Sequence, residues 1–151
     1  MHTDIDGLIQ AFFALFDNRA PGKVPLEGLE AILMPEAIIA KRSGNRLEVM
    51  SLEAFVEPRR KLLSDGTLTA FHEWEVGAET FVFGGIASRT SRYRKEGILN
   101  GIPYAGEGMK STHLVLTEHG WRISAIVWED FDDEMPSQEP RWCASGAPIR
   151  A

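Results

Sequence analysis

The sequence predicts an α+β fold in which a curved antiparallel sheet of about six strands wraps against three N-terminal helices. Two observations lead to this prediction. Up to Gly66, apolar residues recur mainly at helical spacing, with one short hairpin pattern between them. From Thr67 onward, the pattern changes to long extended runs punctuated by glycines. A long curled sheet with helices along one side forms a cone, and the inside of a cone is a natural pocket.

The composition indicates one domain in 151 residues. We expect residues 4–131 to fold and residues 132–151, which contain Cys143, to form a mobile tail. The net charge of −6 argues against a polyanion such as DNA as a partner. No apolar run approaches the ~18 residues that a membrane span needs, and the first residues do not resemble a secretory signal. We therefore expect no membrane partner. A single cysteine fits a reducing compartment, so the chain is expected to be cytoplasmic.

The three predicted helices all lie in the first part of the chain. The first has a wide apolar stripe over residues 5–16. Pro25 opens a second, short helix, which Pro35 ends. Ser51 caps the third helix, in which Pro58 is expected to cause a kink or a restart.

The predicted strands are separated by turn residues. Gly84-Gly85 and His119-Gly120 are interpreted as two-residue hairpin turns, and residues 96–108 as a flexible loop. Gly77 marks a bulge or bend. The six strands cover residues 37–43, 46–50, 68–83, 86–95, 109–118 and 121–131.

The turn at His119-Gly120 determines which side chains of the last two strands share a face. One face then collects an apolar set for the core, namely Trp121, Leu116, Ile123, Leu114, Ala125 and Val127. The opposite face is mixed, and a half-apolar sheet face of this kind favours a homodimer. Its members include Met109, His113, Val115, Ile126 and Trp128.

The faces of the strands at 68–83 and 86–95 depend on Gly77. In a regular strand, His72 and Trp74 share a face with Tyr93, whereas Glu73 and Glu75 lie opposite. A bulge at Gly77 exchanges these faces, and both alternatives stay open.

The order of elements and three segments resemble a known superfamily. The segments are the amphipathic stripe over residues 5–16, Gly84 followed by the strand at 86–95, and the ending Gly-Trp-Arg-Ile-Ser from Gly120 through Trp128. They resemble the nuclear-transport-factor-two-like superfamily, with its cystatin-like cone, and within it the SnoaL-like group. The resemblance covers roughly residues 4–131. It implies a small hydrophobic ligand bound without a cofactor, and a homodimer formed through the outer sheet face.

Candidate catalytic residues are His72, His113 and Tyr93. Histidine titrates near neutral pH, so either histidine could act as a base beside a carbonyl group while the Tyr93 hydroxyl steadies the enolate. The alternative is that both histidines lie on strand surfaces. The four histidines and one cysteine lack a recognised ligand spacing, so no metal site is expected.

Four further residues are candidate ligand contacts. Trp74 and Trp128 could stack on a flat ligand, or else belong to the core or a dimer interface. Phe16 lies on the apolar stripe of the first helix. Arg59 belongs to a short basic run that could hold an anionic group at the cone mouth, or else form a solvated helix face. The chain is thus expected to be either a cofactor-independent isomerase, dehydratase or cyclase acting on a hydrophobic carbonyl compound, or a non-catalytic dimeric ligand-binding or association domain.

Overall fold

The computed structural model describes residues 2–131, in which two α-helices and one short 3-10 helix accompany a six-stranded sheet. The helices are α1 (His2–Ala14), the 3-10 helix (Leu29–Ala31) and α2 (Leu52–Ser64). The strands are β1 (Leu33–Ser43), β2 (Arg46–Met50), β3 (Leu68–Phe83), β4 (Ile86–Leu99), β5 (Ile102–Thr117) and β6 (Gly120–Asp130). The predicted tail with Cys143 lies outside the described residues.

The sheet has the order β2-β1-β6-β5-β4-β3 and is not closed. The prediction of an α+β fold with about six strands is confirmed. The prediction of a wholly antiparallel sheet is wrong, because β1 and β6 pair in parallel. Helix α2 carries the chain from β2 to the far edge strand, β3, and the meander that follows returns β6 alongside β1 in the same direction.

The predicted helix between Pro25 and Pro35 is absent from the described chain, where turns and the 3-10 helix replace it. Leu26 and Gly28 have φ angles of 65° and 84°, which an α-helix does not accommodate. Pro35 instead lies in β1, where the pairing with β6 is irregular between Leu33 and Ile38. A proline without an N–H group is tolerated at such an irregularity.

Helix α2 starts where the sequence predicts. The Ser51 side-chain hydroxyl accepts a hydrogen bond of 3.1 Å from the Ala54 amide, as an N-cap does. The helix continues through Pro58 to Ser64 without a restart. Together with α1, it packs on one face of the sheet, which we call the inner face.

The prediction of a flexible loop over residues 96–108 is wrong. Strands β4 and β5 extend into this segment and meet at a tight turn at Asn100-Gly101. Both turn residues have positive φ, as a type I′ hairpin turn requires. Gly108 pairs with Tyr93 and Gly106 with Lys95. These two glycines therefore make room on the inner face for large side chains of the neighbouring strand.

The predicted register of β5 and β6 is also wrong. Thr117 pairs with Gly120, so the turn is Glu118-His119, and a bulge at Ser124 changes the face of the residues that follow. Ile126 and Trp128 are consequently buried on the inner face and do not belong to the outer one. Ala125 and Val127, predicted for the core face, leave it after this bulge. Leu116 pairs with Trp121 on that face but is 47% exposed near the end of the strand.

The Gly84-Gly85 turn and the irregularity near Gly77 are confirmed. Phe83 pairs with Ile86, and the register shifts between Glu75 and Gly77. The shift places Glu73 opposite Lys95 and Glu75 opposite Tyr93. Of the two alternatives left open by the sequence, the structure therefore selects the bulged one, in which these glutamates lie on the inner face.

Candidate functional site

A cavity of about 330 Å³ lies between the inner face of the sheet and helices α1 and α2. This volume falls at the lower end of the range found for small-molecule sites. Most of its wall is apolar and aromatic: Phe12, Phe16, Phe55, Pro58, Leu62, Leu63, Leu68, Phe71, Tyr104, Ile126 and Trp128. Five charged side chains complete the lining: Lys41, Arg59, Glu73, Lys95 and Lys110.

Lys110 and Glu73 form a buried ion pair in the cavity wall. The Lys110 Nζ lies 3.3 Å from Glu73 Oε2, and the two side chains are only 8% and 10% exposed. The same Nζ lies 4.1 Å from the ring centroid of Tyr93 and 5.3 Å from that of Trp128. Burial lowers the pKa of the Lys110 ammonium, although the Glu73 carboxylate opposes this effect.

A second charged cluster surrounds Asp130. Its carboxylate accepts hydrogen bonds from the Tyr93 hydroxyl and, at 3.0 Å, from Lys95 Nζ. Lys41 Nζ approaches it to 3.6 Å. Burial alone would raise the pKa of Asp130, but the Lys95 ammonium and the two hydrogen bonds outweigh burial and lower it. Burial and the nearby Asp130 charge raise the pKa of Tyr93, so its hydroxyl stays protonated.

Arg59 differs from the three lysines of the cavity. Its guanidinium lies over the rings of Phe55 and Trp128, with Cζ at 4.2 Å and 5.5 Å from their centroids. It donates a hydrogen bond of 3.0 Å to the Phe55 carbonyl oxygen. Within residues 2–131, no carboxylate lies at ion-pair distance from it. Burial lowers its pKa, but a guanidinium remains charged at neutral pH.

The charges of the cavity do not cancel. Glu73 neutralises Lys110, and Asp130 is shared by Lys41 and Lys95. The cations around the cavity thus outnumber the carboxylates, although the whole chain has a net charge of −6. This local excess of positive charge favours an anionic group inside the cavity.

The structure brings together three of the residues predicted for the site. Phe16, Arg59 and Trp128 all line the cavity. Tyr93 is fully buried next to it, and its hydroxyl bonds Asp130.

The other predicted site residues lie on the outer face. His72 stacks on Trp74 at 4.4 Å and pairs with Glu96 at 3.0 Å. His113 is exposed on β5. Neither histidine lines the cavity, so we do not retain a histidine base or a ligand contact by Trp74 in the proposed function.

The sequence pattern does not indicate the three cavity lysines, Lys41, Lys95 and Lys110. A lysine on a strand usually points to solvent, so Lys110 offers no signal by itself. The alternation Gly106, Gly108, Lys110 is the pattern that could have found it, because glycines at every second position leave space for a large neighbour on that face.

Two further structural findings concern the described residues. Residues 2–131 contain no cluster of three or more histidine, cysteine, aspartate or glutamate side chains suited to a metal ion. Among the helices of the same range, none has the length and apolar character needed to cross a membrane.

Comparison with known proteins identifies the fold. No protein-family model and no curated protein sequence matches the chain. Solved structures do match, including an NTF2-like superfamily protein from Salmonella enterica with a TM-score of 0.68 and 15% identity, covering 91% of this chain and 92% of that one. An NTF2-like protein with a cystatin-like fold from Novosphingobium aromaticivorans matches with a TM-score of 0.65 and 17% identity over 87% and 82% of the two chains.

An association domain has the same architecture. The association domain of the Caenorhabditis elegans kinase CaMKII matches with a TM-score of 0.63 and 11% identity, covering 84% of this chain and 93% of that one. The chain therefore has the NTF2-like, cystatin-like fold, as its sequence predicts. These identities indicate a shared fold and leave the function to be argued from the cavity.

Proposed function

We propose that the chain binds a small molecule that combines an aromatic or otherwise apolar body with a carboxylate. The observation that carries this proposal is Arg59, a partly buried cation in the cavity wall that faces two aromatic rings and has no carboxylate partner in the described chain. A guanidinium binds a carboxylate through two parallel hydrogen bonds, which makes it a specific anchor.

The remaining wall suits the body of such a ligand. Phe16, Phe55 and Trp128 form a series of edge-to-face contacts, with ring centroids 6.0 Å and 5.7 Å apart. Aromatic walls of this kind favour a flat apolar molecule. The small hydrophobic ligand expected from the sequence is thereby refined to one that carries a negative charge.

Calorimetric titration with 1-naphthoate and with its neutral isostere 1-naphthamide tests this function. We expect the carboxylate to bind at least tenfold more tightly, since loss of a charge-assisted bidentate contact costs about 1.4 kcal/mol or more. Arg59→Gln should remove the preference. Arg60→Gln is the matched control, because Arg60 is the next residue of α2, is 43% exposed and pairs with Glu57 at 2.8 Å. Equal affinity of the wild type for both probes would contradict the proposal.

A second candidate function is self-association through the outer face of the sheet. Phe81, Phe83 and Ile86 are exposed by 70%, 74% and 59% at the hairpin end of β3 and β4. An exposed apolar patch of this kind is typical of an interaction site. The matching association domain has the same fold.

Light scattering tests the self-association. We expect a homodimer at micromolar concentration, and a monomer for Phe81→Glu, since a charge buried in an apolar interface is unfavourable. Leu47→Glu is the control, because Leu47 is 64% exposed on β2 at the opposite edge of the sheet. A monomeric wild type, or a Phe81→Glu variant that stays dimeric, would rule out this interface.

A further inference from the structure

We propose that Lys110 forms an imine with an aldehyde or ketone group of the cavity ligand. This inference rests on the proposed function, because the carboxylate of the same ligand is held by Arg59. The ligand class is therefore an apolar oxo-acid, in which a carbonyl group and a carboxylate are separated by a flat body.

The position of Lys110 supports this assignment. Its Nζ and the Arg59 guanidinium lie 5.3 Å and 5.5 Å from the centroid of the same Trp128 ring. Both residues line the same cavity as Trp128, so a ligand in the cavity can contact both groups. Lys110 also lines the cavity while its side chain is only 8% exposed, so its amine meets the ligand in surroundings with little water.

Glu73 provides the proton transfers that imine formation requires. It accepts a proton from the Lys110 ammonium, 3.3 Å away, and the free amine attacks the carbonyl carbon, forming the C–N bond. A proton moves from nitrogen to the carbonyl oxygen, which gives a carbinolamine. Glu73 then returns its proton to the hydroxyl group, the C–O bond breaks, and water leaves. Ammonium and carbonyl thus become a protonated imine and one water molecule, with the positive charge conserved.

The surroundings of Lys110 suit both stages of this reaction. Burial lowers the pKa of its ammonium, which makes the free amine accessible. The protonated imine keeps its positive charge where Glu73 and the rings of Tyr93 and Trp128 now hold the ammonium. Lys95 is less suited to imine formation. The Asp130 carboxylate outweighs burial and raises the pKa of the Lys95 ammonium, so the free amine is less accessible.

Reductive trapping tests the inference on the full chain. The probe is 4-formylbenzoate with sodium cyanoborohydride, which donates hydride to the protonated imine and fixes it as a secondary amine. We expect one adduct per chain by intact mass, assigned by peptide mapping to Lys110. Lys110→Arg should abolish it, whereas Lys95→Arg, a change in the same cavity wall, should leave it. Mapping of the wild type identifies the modified lysine even if the Lys110 variant fails to fold.

The unreactive isostere 4-carbamoylbenzoate separates this inference from the proposed function. If it binds in an Arg59-dependent way but the aldehyde labels no lysine, or labels surface lysines as readily as Lys110, the imine is overturned and the binding function stands. If neither compound binds or reacts, both proposals fail. Selective labelling of Lys110 that is weakened at least tenfold by Arg59→Gln supports both.

Discussion

Arg89 shows at the scale of one residue how this fold buries charge. Its guanidinium donates to Glu75 at 2.6 Å and 3.0 Å, to Asp6 at 2.6 Å and to Thr80 at 2.7 Å, and its side chain is 8% exposed. Removal of one partner of a buried pair leaves the other charge without compensation. Arg89 therefore connects helix α1 to strands β3 and β4 by electrostatics as well as by packing.

We expect Arg89→Met to lower the free energy of unfolding by about 3 kcal/mol, because Glu75, only 16% exposed, loses its counter-ion. Arg94→Met on the same strand is the control. Arg94 is 60% exposed and pairs with Glu107 at 3.4 Å, so its loss should cost less than about 1 kcal/mol. Urea unfolding at neutral pH measures both. Equal losses for the two variants would show that the buried pair contributes nothing special.

Gly108 lies where the fold leaves no room for a side chain. A Cβ atom there would overlap the Glu129 carbonyl oxygen and the Tyr93 hydroxyl, and would lie 2.7 Å from Tyr93 Cζ. We expect Gly108→Ala to destabilise the fold by about 1–3 kcal/mol, as overpacking does. At Gly77, an added Cβ meets nothing within 4 Å. Gly77→Ala should therefore shift the urea midpoint much less, and a larger effect at Gly77 than at Gly108 would refute this reasoning.

At the scale of the elements, the Asp130 side chain connects three strands through its polar contacts. It lies on β6 and bonds Lys95 and Tyr93 of β4, while Lys41 of β1 approaches from the other side. Its pKa is lower in the folded chain than the ~3.9 of an unfolded aspartate. The charged carboxylate thus stabilises the fold at pH values above ~4, and this contribution is lost as the pH falls through the lower folded value.

We expect Asp130→Asn to be less stable than the wild type at pH 7, and the difference to shrink as the pH falls from about 5 to about 2. Urea unfolding across this range measures the two free energies. Glu79→Gln, at an exposed position of β3, should differ little from the wild type at any of these pH values. A difference between Asp130→Asn and the wild type that stays constant with pH would contradict the assigned role.

The elements also show which parts of the fold the sequence can predict. The alternation of side chains along a strand predicts its two faces correctly where the strand pairing is regular, as next to the turn between Phe83 and Ile86. It fails after Ser124, since this small residue gives no sign of the bulge that turns Ile126 and Trp128 inward. A glycine marks a bend or a turn in one strand and a packing space in another, so the sequence does not distinguish the inward Gly108 from a loop residue.

The residues of the candidate site can likewise be predicted only in part from the sequence. Phe16, Arg59 and Trp128, predicted from their side-chain types as candidate ligand contacts, all line the cavity. The cavity lysines could not be predicted, because their inward direction depends on register. His72 illustrates the converse: its chemistry suggested catalysis, but the shift between Glu75 and Gly77 directs it away from the cavity.

The whole molecule combines a negative overall charge with a positive cavity, and this contrast predicts how salt affects binding. The net charge is −6, whereas Arg59 and the paired lysines line a partly open cavity between helices and sheet. Salt screens exposed charges over a Debye length of about 10 Å at 0.1 M, but it screens buried pairs much less. A carboxylate seated on Arg59 should therefore be largely insensitive to ionic strength.

We expect the dissociation constant of 1-naphthoate to change less than about threefold between 20 and 300 mM sodium chloride, because its counter-ion Arg59 is partly buried in the cavity wall. Calorimetric titration at several salt concentrations measures this. Arg60→Gln, which removes an exposed charge, should leave the salt response unchanged. An anion that binds on the exposed surface would lose affinity steeply over this range. A tenfold or greater loss for the wild type would therefore place the carboxylate outside the cavity, whereas a flat response supports a position inside it.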